Sequence, residues 1–113
     1  MSDCLFCKIA SNEIPADVVF ETDEILAFRD IDPKAPTHVL VITRQHFENA
    51  AELANTNKDL AAQLLQAITD VATLEGLAEG YRIVTNTGSD GGQSVNHVHF
   101  HLLGGRSLNW PPG

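Results

Sequence analysis

A chain of 113 residues, 43% hydrophobic and 19% charged, has the make-up of a single folded domain rather than a disordered segment. Seven Lys and Arg against 15 Asp and Glu leave a net charge of −8, which excludes a general basic field for nucleic acid and disfavours anionic membranes. No apolar run approaches the ~20 residues that span a bilayer, and residues 1–8 lack the basic and apolar regions of a secretory signal, so a reducing cytoplasm is the expected setting.

Cys4-Leu5-Phe6-Cys7 comes first along the chain. In a reducing compartment such a pair reads as a half metal site, a redox couple or two plain thiols, rather than a structural disulfide. A thioredoxin-like reading needs a βαβ context that the following residues do not supply. Val18–Glu21 and Ile25–Arg29 are apolar runs separated by Thr22-Asp23-Glu24 and predict a β-hairpin. Asp30–Pro36 predicts a rigid loop, because Pro33 and Pro36 fix φ and remove two N–H donors. The β-branched run His38–Thr43 predicts a third strand.

Arg44–Leu53 suggests a short helix. Over residues 57–75 the apolar period lengthens. Leu60, Leu64, Ile68, Val71 and Leu74 predict one long amphipathic helix, with N-cap candidates at 55–57 and Gly76 as its C′ residue. Tyr81–Asn86 and Asn96–Leu103 predict two more strands around the glycine-rich turn Thr87–Ser94. Five strands joined mostly by short loops, with one long helix and a short one, predict an α+β fold around an antiparallel sheet. The long helix covers one face and leaves the other for a ligand or partner.

The chemistry concentrates in His97-Val98-His99-Phe100-His101-Leu102-Leu103. Side chains at i, i+2 and i+4 of a strand share a face, so three imidazoles would line up opposite Val98, Phe100 and Leu102. Two readings compete. Alternate histidines can chelate a metal, with further ligands from Cys4, Cys7, His38 or His46. Alternatively, His99 is a nucleophile tuned by its neighbours, since imidazole attacks phosphorus and forms a labile N–P bond. The turn Gly88–Ser94 favours the second, because successive amides in such a turn can form a nest for an oxyanion.

These residues resemble the histidine triad superfamily, whose signature alternates histidine with apolar residues. The resemblance takes in Glu13-Ile14-Pro15, Ala27–Pro33, Pro36–Ile42, Gly88–Ser94 and His97–Leu103. The closing Gly104-Gly105-Arg106 and Trp110-Pro111-Pro112-Gly113 are similar to the Hint branch of purine nucleoside phosphoramidases. It implies a homodimer with one continuous ten-stranded sheet. It also implies hydrolysis of adenosine or guanosine 5′-phosphoramidates to the monophosphate and an amine, without a metal in the chemistry. His99 then stands at the nucleophile position, its tautomer fixed by the carbonyl of residue 97. His101 would bind the phosphate with support from His38, and Ser94 would contact the leaving nitrogen. Asn86, Gly92 and Gln93 would hold the phosphate region, and Asp30 the ribose hydroxyls. Phe6, Ile9, Phe28 and Ile31 would line the purine slot, and Trp110 would shape specificity at the partner's site.

The same resemblance joins Cys4 and Cys7 to His46 and His97 as a tetrahedral structural zinc site. One tension remains at this level, because His97 would ligate zinc from the strand face that carries His99. Within the superfamily, a dinucleoside polyphosphate hydrolase or nucleotidyl transferase is the alternative. Outside it stand a nucleotide-binding adaptor with vestigial activity and a zinc hydrolase built on the histidines.

Overall fold

In the computed structural model, residues 3–113 are described. Eight elements follow in order: α1 (Leu5–Ala10), β1 (Val18–Glu21), β2 (Ile25–Arg29), β3 (Thr37–Thr43), α2 (Ala50–Thr56), α3 (Lys58–Leu74), β4 (Tyr81–Val84) and β5 (His99–Gly104). The strands form one antiparallel sheet in the order β1-β2-β3-β5-β4. This is the α+β fold that the sequence predicts, with one helix more than expected.

All seven residues of the central β3 are buried, because both faces of the sheet are covered there. On one face Ile25, Ala27, Val39, Val41 and Leu102 pack with Leu60, Leu64, Ile68 and Val71 of α3. The stripe of α3 is the predicted one up to Val71, but Leu74 is exposed because the helix end has run past the sheet. The Asn57 side chain caps the start by accepting from the Leu60 amide at 3.0 Å. At the other end Leu77 N–H reaches Ala72 O and Gly76 N–H reaches Thr73 O, with Gly76 at φ +71°. That is a Schellman stop, which a glycine enters without the strain a Cβ would bring.

The opposite face carries Leu26, Phe28, Leu40 and Ile42, and α1 lies on it with Phe6 and Ile9 buried. This face is therefore only partly left for a ligand. A six-residue helix is too short to stand by itself in water. α1 exists because its two apolar side chains are buried and because Cys4 caps it, Sγ accepting from Cys7 N–H at 3.3 Å.

Three elements differ from expectation by more than one residue. The short helix is α2, displaced to residues 50–56 behind the Asn49 cap. β4 ends at Val84. β5 starts at His99, because Val98 N–H leaves the ladder to bond Phe47 O at 2.8 Å. His97 thus sits in a bend before the strand, which removes the tension over its two possible neighbours.

Candidate active site and metal cluster

Register places the chemistry. Leu40 of β3 faces His101 of β5, and Ile42 faces His99, all on the face that α1 partly covers. A cavity of about 600 Å³ opens there. Phe6, Ile9 and Phe28 form its apolar wall, and His99, His101 and Asp30 bring polar groups to it. Ile31 and Ser94 reach its edge, both exposed. Phe6 stands edge-on to both Phe28 and His99, with ring centroids 5.7 and 5.0 Å apart. An apolar slot with few polar groups at one end suits a flat ligand with a polar tail.

The hydrogen bonds assign the histidine tautomers. His99 Nδ1 lies 2.7 Å from the carbonyl of His97, so Nδ1 carries the proton and donates it. Nε2 is left with its lone pair, on a ring that lines the cavity. His38 Nδ1 accepts from Lys34 N–H at 3.0 Å, so His38 carries its proton on Nε2. That proton is donated to His101 Nδ1 at 2.9 Å. His101 must then hold its own proton on Nε2. The chain Lys34 amide, His38, His101 therefore ends in a neutral N–H donor beside a ring with an available lone pair. Burial, helped by His99 and His38, pushes the His101 pKa down to about 4. Burial likewise lowers that of His38, against the opposing pull of Asp30.

Asp30, His38 and His101 also bring possible ligand atoms within 4.8 Å of one another. Coordination through His38 Nε2 would require the proton to move to Nδ1, where the Lys34 N–H already points. The two histidines are arranged to donate hydrogen bonds through Nε2–H, and Asp30 is placed to accept hydrogen bonds.

The glycine-rich loop differs from the expected nest. Gly91 N–H, Gly92 N–H and Gln93 N–H bond carbonyls of Gly88 and Ser89, and Gly88 N–H bonds Gln93 Oε1. Tight turns engage these amides inside the loop. Gln93 Nε2 donates to Glu48 O and Val95 O, and Asn86 Nδ2 to Gly91 O at 2.6 Å. Asn86, Gly92 and Gln93 shape the loop and do not line the cavity; Ser94 is the expected loop residue that reaches it. His38 stands behind His101. Trp110 is 84% exposed, away from the cavity of its own chain.

A second cluster lies at the start of α1. Cys4, Cys7, His46 and His97 bring four ligand atoms within 4.8 Å of one another. Cys4 Sγ is 3.3 Å from His97 Nδ1, Cys7 Sγ is 3.3 Å from His46 Nδ1, and the two Nδ1 atoms are 3.2 Å apart. Tetrahedral bonds of ~2.0–2.3 Å place ligand atoms roughly 3.3–3.8 Å apart, so the set has nearly the right size. Tautomers fit as well. His97 Nε2–H donates to Thr43 O at 2.7 Å and His46 Nε2–H to Glu48 at 2.9 Å. Both Nδ1 lone pairs therefore face the cluster, each ring held by an outer partner as metal-bound imidazoles are. These four residues could hold a metal ion.

Several contributors were not legible as site residues in the sequence. Leu40 lines the cavity floor, and Asp17 and Arg29 stand at its rim. The Lys34 amide and Thr43 carbonyl act through main-chain atoms, which no side-chain pattern announces. Glu48, two residues after His46, was the one detectable signal.

Known proteins resemble this chain along nearly its whole length. The sequence profile of the HIT domain matches residues 11–108. An uncharacterised HIT-like protein of Synechococcus elongatus is 54% identical over 111 residues, 98% of this chain and 97% of its own. The Arabidopsis thaliana protein named adenylylsulfatase HINT1 is 50% identical over 114 residues, covering 99% of this chain and 78% of its own. A 14 kDa zinc-binding protein of Zea mays is 47% identical, covering 99% and 89%. The crystal structure of a HIT family hydrolase from Legionella pneumophila superposes with a TM-score of 0.94 at 53% identity, covering 98% of this chain and 100% of that one.

Proposed function

The chain belongs to the HIT domain family, in its Hint branch, and on that premise we propose that it hydrolyses the P–N bond of purine nucleoside 5′-phosphoramidates. The observation that carries this reading is the His99 tautomer, with Nδ1–H committed to the His97 carbonyl and Nε2 available in the cavity. The purine lies between Phe6, Ile9, Phe28 and Ile31, and Asp30 accepts from the ribose hydroxyls. One Asp30 oxygen already takes the Asp32 N–H at 2.8 Å, which fixes the carboxylate for that task.

His99 Nε2 attacks phosphorus in line with the departing nitrogen. The N–P bond forms as the P–N bond breaks, and the nitrogen leaves as an amine with a proton passed through Ser94 from solvent. The nucleotidyl imidazole carries a positive charge, which the His97 carbonyl offsets at Nδ1–H. The His101 Nε2–H donates to a non-bridging oxygen where negative charge develops. Water then attacks phosphorus, the bond to Nε2 breaks and a proton goes to solvent. The monophosphate departs, and His99 regains its lone pair.

Cys4, Cys7, His46 and His97 would hold zinc, which supplies a fold-stabilising cross-link at this closed four-ligand site. The donor set and the zinc-binding name of the maize relative support the choice of metal. A second copy of the chain would pair along β4, one of the two terminal strands of the sheet, where Tyr81 and Ile83 are 41% and 40% exposed. Trp110 would then reach the partner's cavity.

A second reading has its own support in the relative named adenylylsulfatase. Adenylyl sulfate presents the same nucleotidyl group with sulfate as leaving group, so His99 would serve both. The test is hydrolysis of adenosine 5′-phosphoramidate and of adenylyl sulfate by the wild type, His99→Ala and Ser94→Ala. His99→Ala is expected to lose at least ~10³-fold on both. Ser94→Ala should lose about 10²-fold on the phosphoramidate alone, because sulfate leaves without a proton. Full phosphoramidase activity in His99→Ala contradicts the proposal.

A further inference from the structure

The cysteine–histidine cluster and the nucleotide cavity share parts of the chain. Cys4 and Cys7 bracket Phe6, and the same helix turn carries Ile9. Phe6 touches the aromatic rings on both sides of the divide, with centroids 6.0 Å from His97 and 5.0 Å from His99. His97 itself works at both sites. Its Nδ1 faces Cys4 and Cys7 at 3.3 and 3.5 Å, while its carbonyl accepts the His99 Nδ1–H at 2.7 Å.

We propose that the cluster, when it holds its metal, positions the catalytic centre: Phe6 and His97 are positioning residues through which metal occupancy sets nucleotide affinity and the His99 tautomer. This inference rests on the nucleotide reading of the cavity. Two linkages run from the cluster. One passes along α1, a six-residue helix whose N-cap is a cluster sulfur. A helix that short depends on its anchors, and loss of the cross-link at 4 and 7 loosens the turn that places Phe6 and Ile9 against the slot. The other passes through His97. Metal on Nδ1 and the Thr43 carbonyl on Nε2–H hold the ring from both sides. A ring so held also holds the residue's carbonyl, and with it the proton on His99 Nδ1. Without metal, the two Nδ1 lone pairs, 3.2 Å apart, have the weak S–H donors of Cys4 and Cys7 at 3.3 Å in its place, and the rings are held less firmly. Nucleotide must in turn tighten metal binding by the same factor, because coupling between two binding equilibria is reciprocal.

The test compares zinc-loaded protein with protein stripped by a chelator and dialysed. Calorimetry reads the affinity for AMP, circular dichroism the fold, and ¹⁵N–¹H correlation spectra the His99 tautomer. The proposal expects stripped protein that keeps its helix and sheet content, binds AMP about tenfold or more weakly, and shows mixed His99 tautomers. Re-addition of zinc restores all three readings. His46→Ala, which removes an exposed ligand away from α1 and His99, should weaken zinc binding. Its AMP affinity should follow zinc occupancy and return to the wild-type value at saturating zinc. Stripped protein that stays folded and binds AMP as the loaded form does would overturn the coupling alone. Global unfolding on metal loss would also overturn it, since the cluster would then be a general staple. Loaded protein that fails to bind AMP would sink the nucleotide reading as well.

Discussion

His101 ends a relay whose first member is a backbone amide. Lys34 N–H sets the His38 tautomer, and His38 sets that of His101. Such a relay works only while the rings are neutral. Folded His101 takes up a proton near pH 4, whereas an unfolded histidine does so near 6.5. As pH falls the unfolded state binds this proton first. The stability contribution is complete above about pH 6.5 and is lost as pH falls to about 4, amounting to up to about 3 kcal/mol. Burial of His38 acts in the same direction. Chemical denaturation between pH 7.5 and 4 should show this loss, and His101→Phe should flatten it. An unchanged slope in that variant would contradict the neutral-donor assignment. The alternating histidines were legible at this scale, although only His99 and His101 share the strand while His97 precedes it. The Lys34 amide was not, because main-chain donors leave no mark in composition.

Among the elements, α3 and α1 mark the limits of what a sequence announces. Seventeen residues with a sustained apolar stripe, an Asn57 cap and a Gly76 stop are consistent at every level, so α3 was legible within a residue at each end. α1 has one and a half turns, and its Phe6 and Ile9 owe their helix to burial against the sheet. Local propensity carries little information at that length. Substitutions should reflect the difference. Leu64→Ala removes a side chain 1% exposed between α3 and the sheet, and should cost about 2–5 kcal/mol in urea unfolding. Asn57→Ala should cost about 1 kcal/mol through its lost cap. The loop Gly88–Ser94 was legible as a loop at the site. Its function was not, since only coordinates reveal that its amides bond one another. Gly91 is needed there because a Cβ would come 2.5 Å from the Thr87 carbonyl oxygen. Gly91→Ala should therefore shift the loop and raise KM by displacing Ser94, measurable with the phosphoramidate.

For the whole molecule, one sheet separates two kinds of packing. α3 fills one face with aliphatic core, and the other face combines a short helix, a cavity and the cysteine–histidine cluster. The antiparallel α+β layout was legible because each strand shows its apolar run between polar turns. The cavity's depth depends on where α1 docks and was not. A homodimer built on β4 predicts a molecular mass of twice the chain by light scattering, and a monomer for Ile83→Glu. Wild type that scatters as a monomer at micromolar concentration would contradict that assembly.

The central claim is that His99 becomes covalently nucleotidylated. The direct measurement is rapid quenching of the wild-type protein with adenosine 5′-phosphoramidate under alkaline conditions that preserve an N–P bond, followed by peptide mass spectrometry. An adenylyl group on the peptide bearing His99, absent from His99→Ala, is the predicted result. Turnover with no adenylylated peptide at any quench time, or the group on a different residue, would contradict the account.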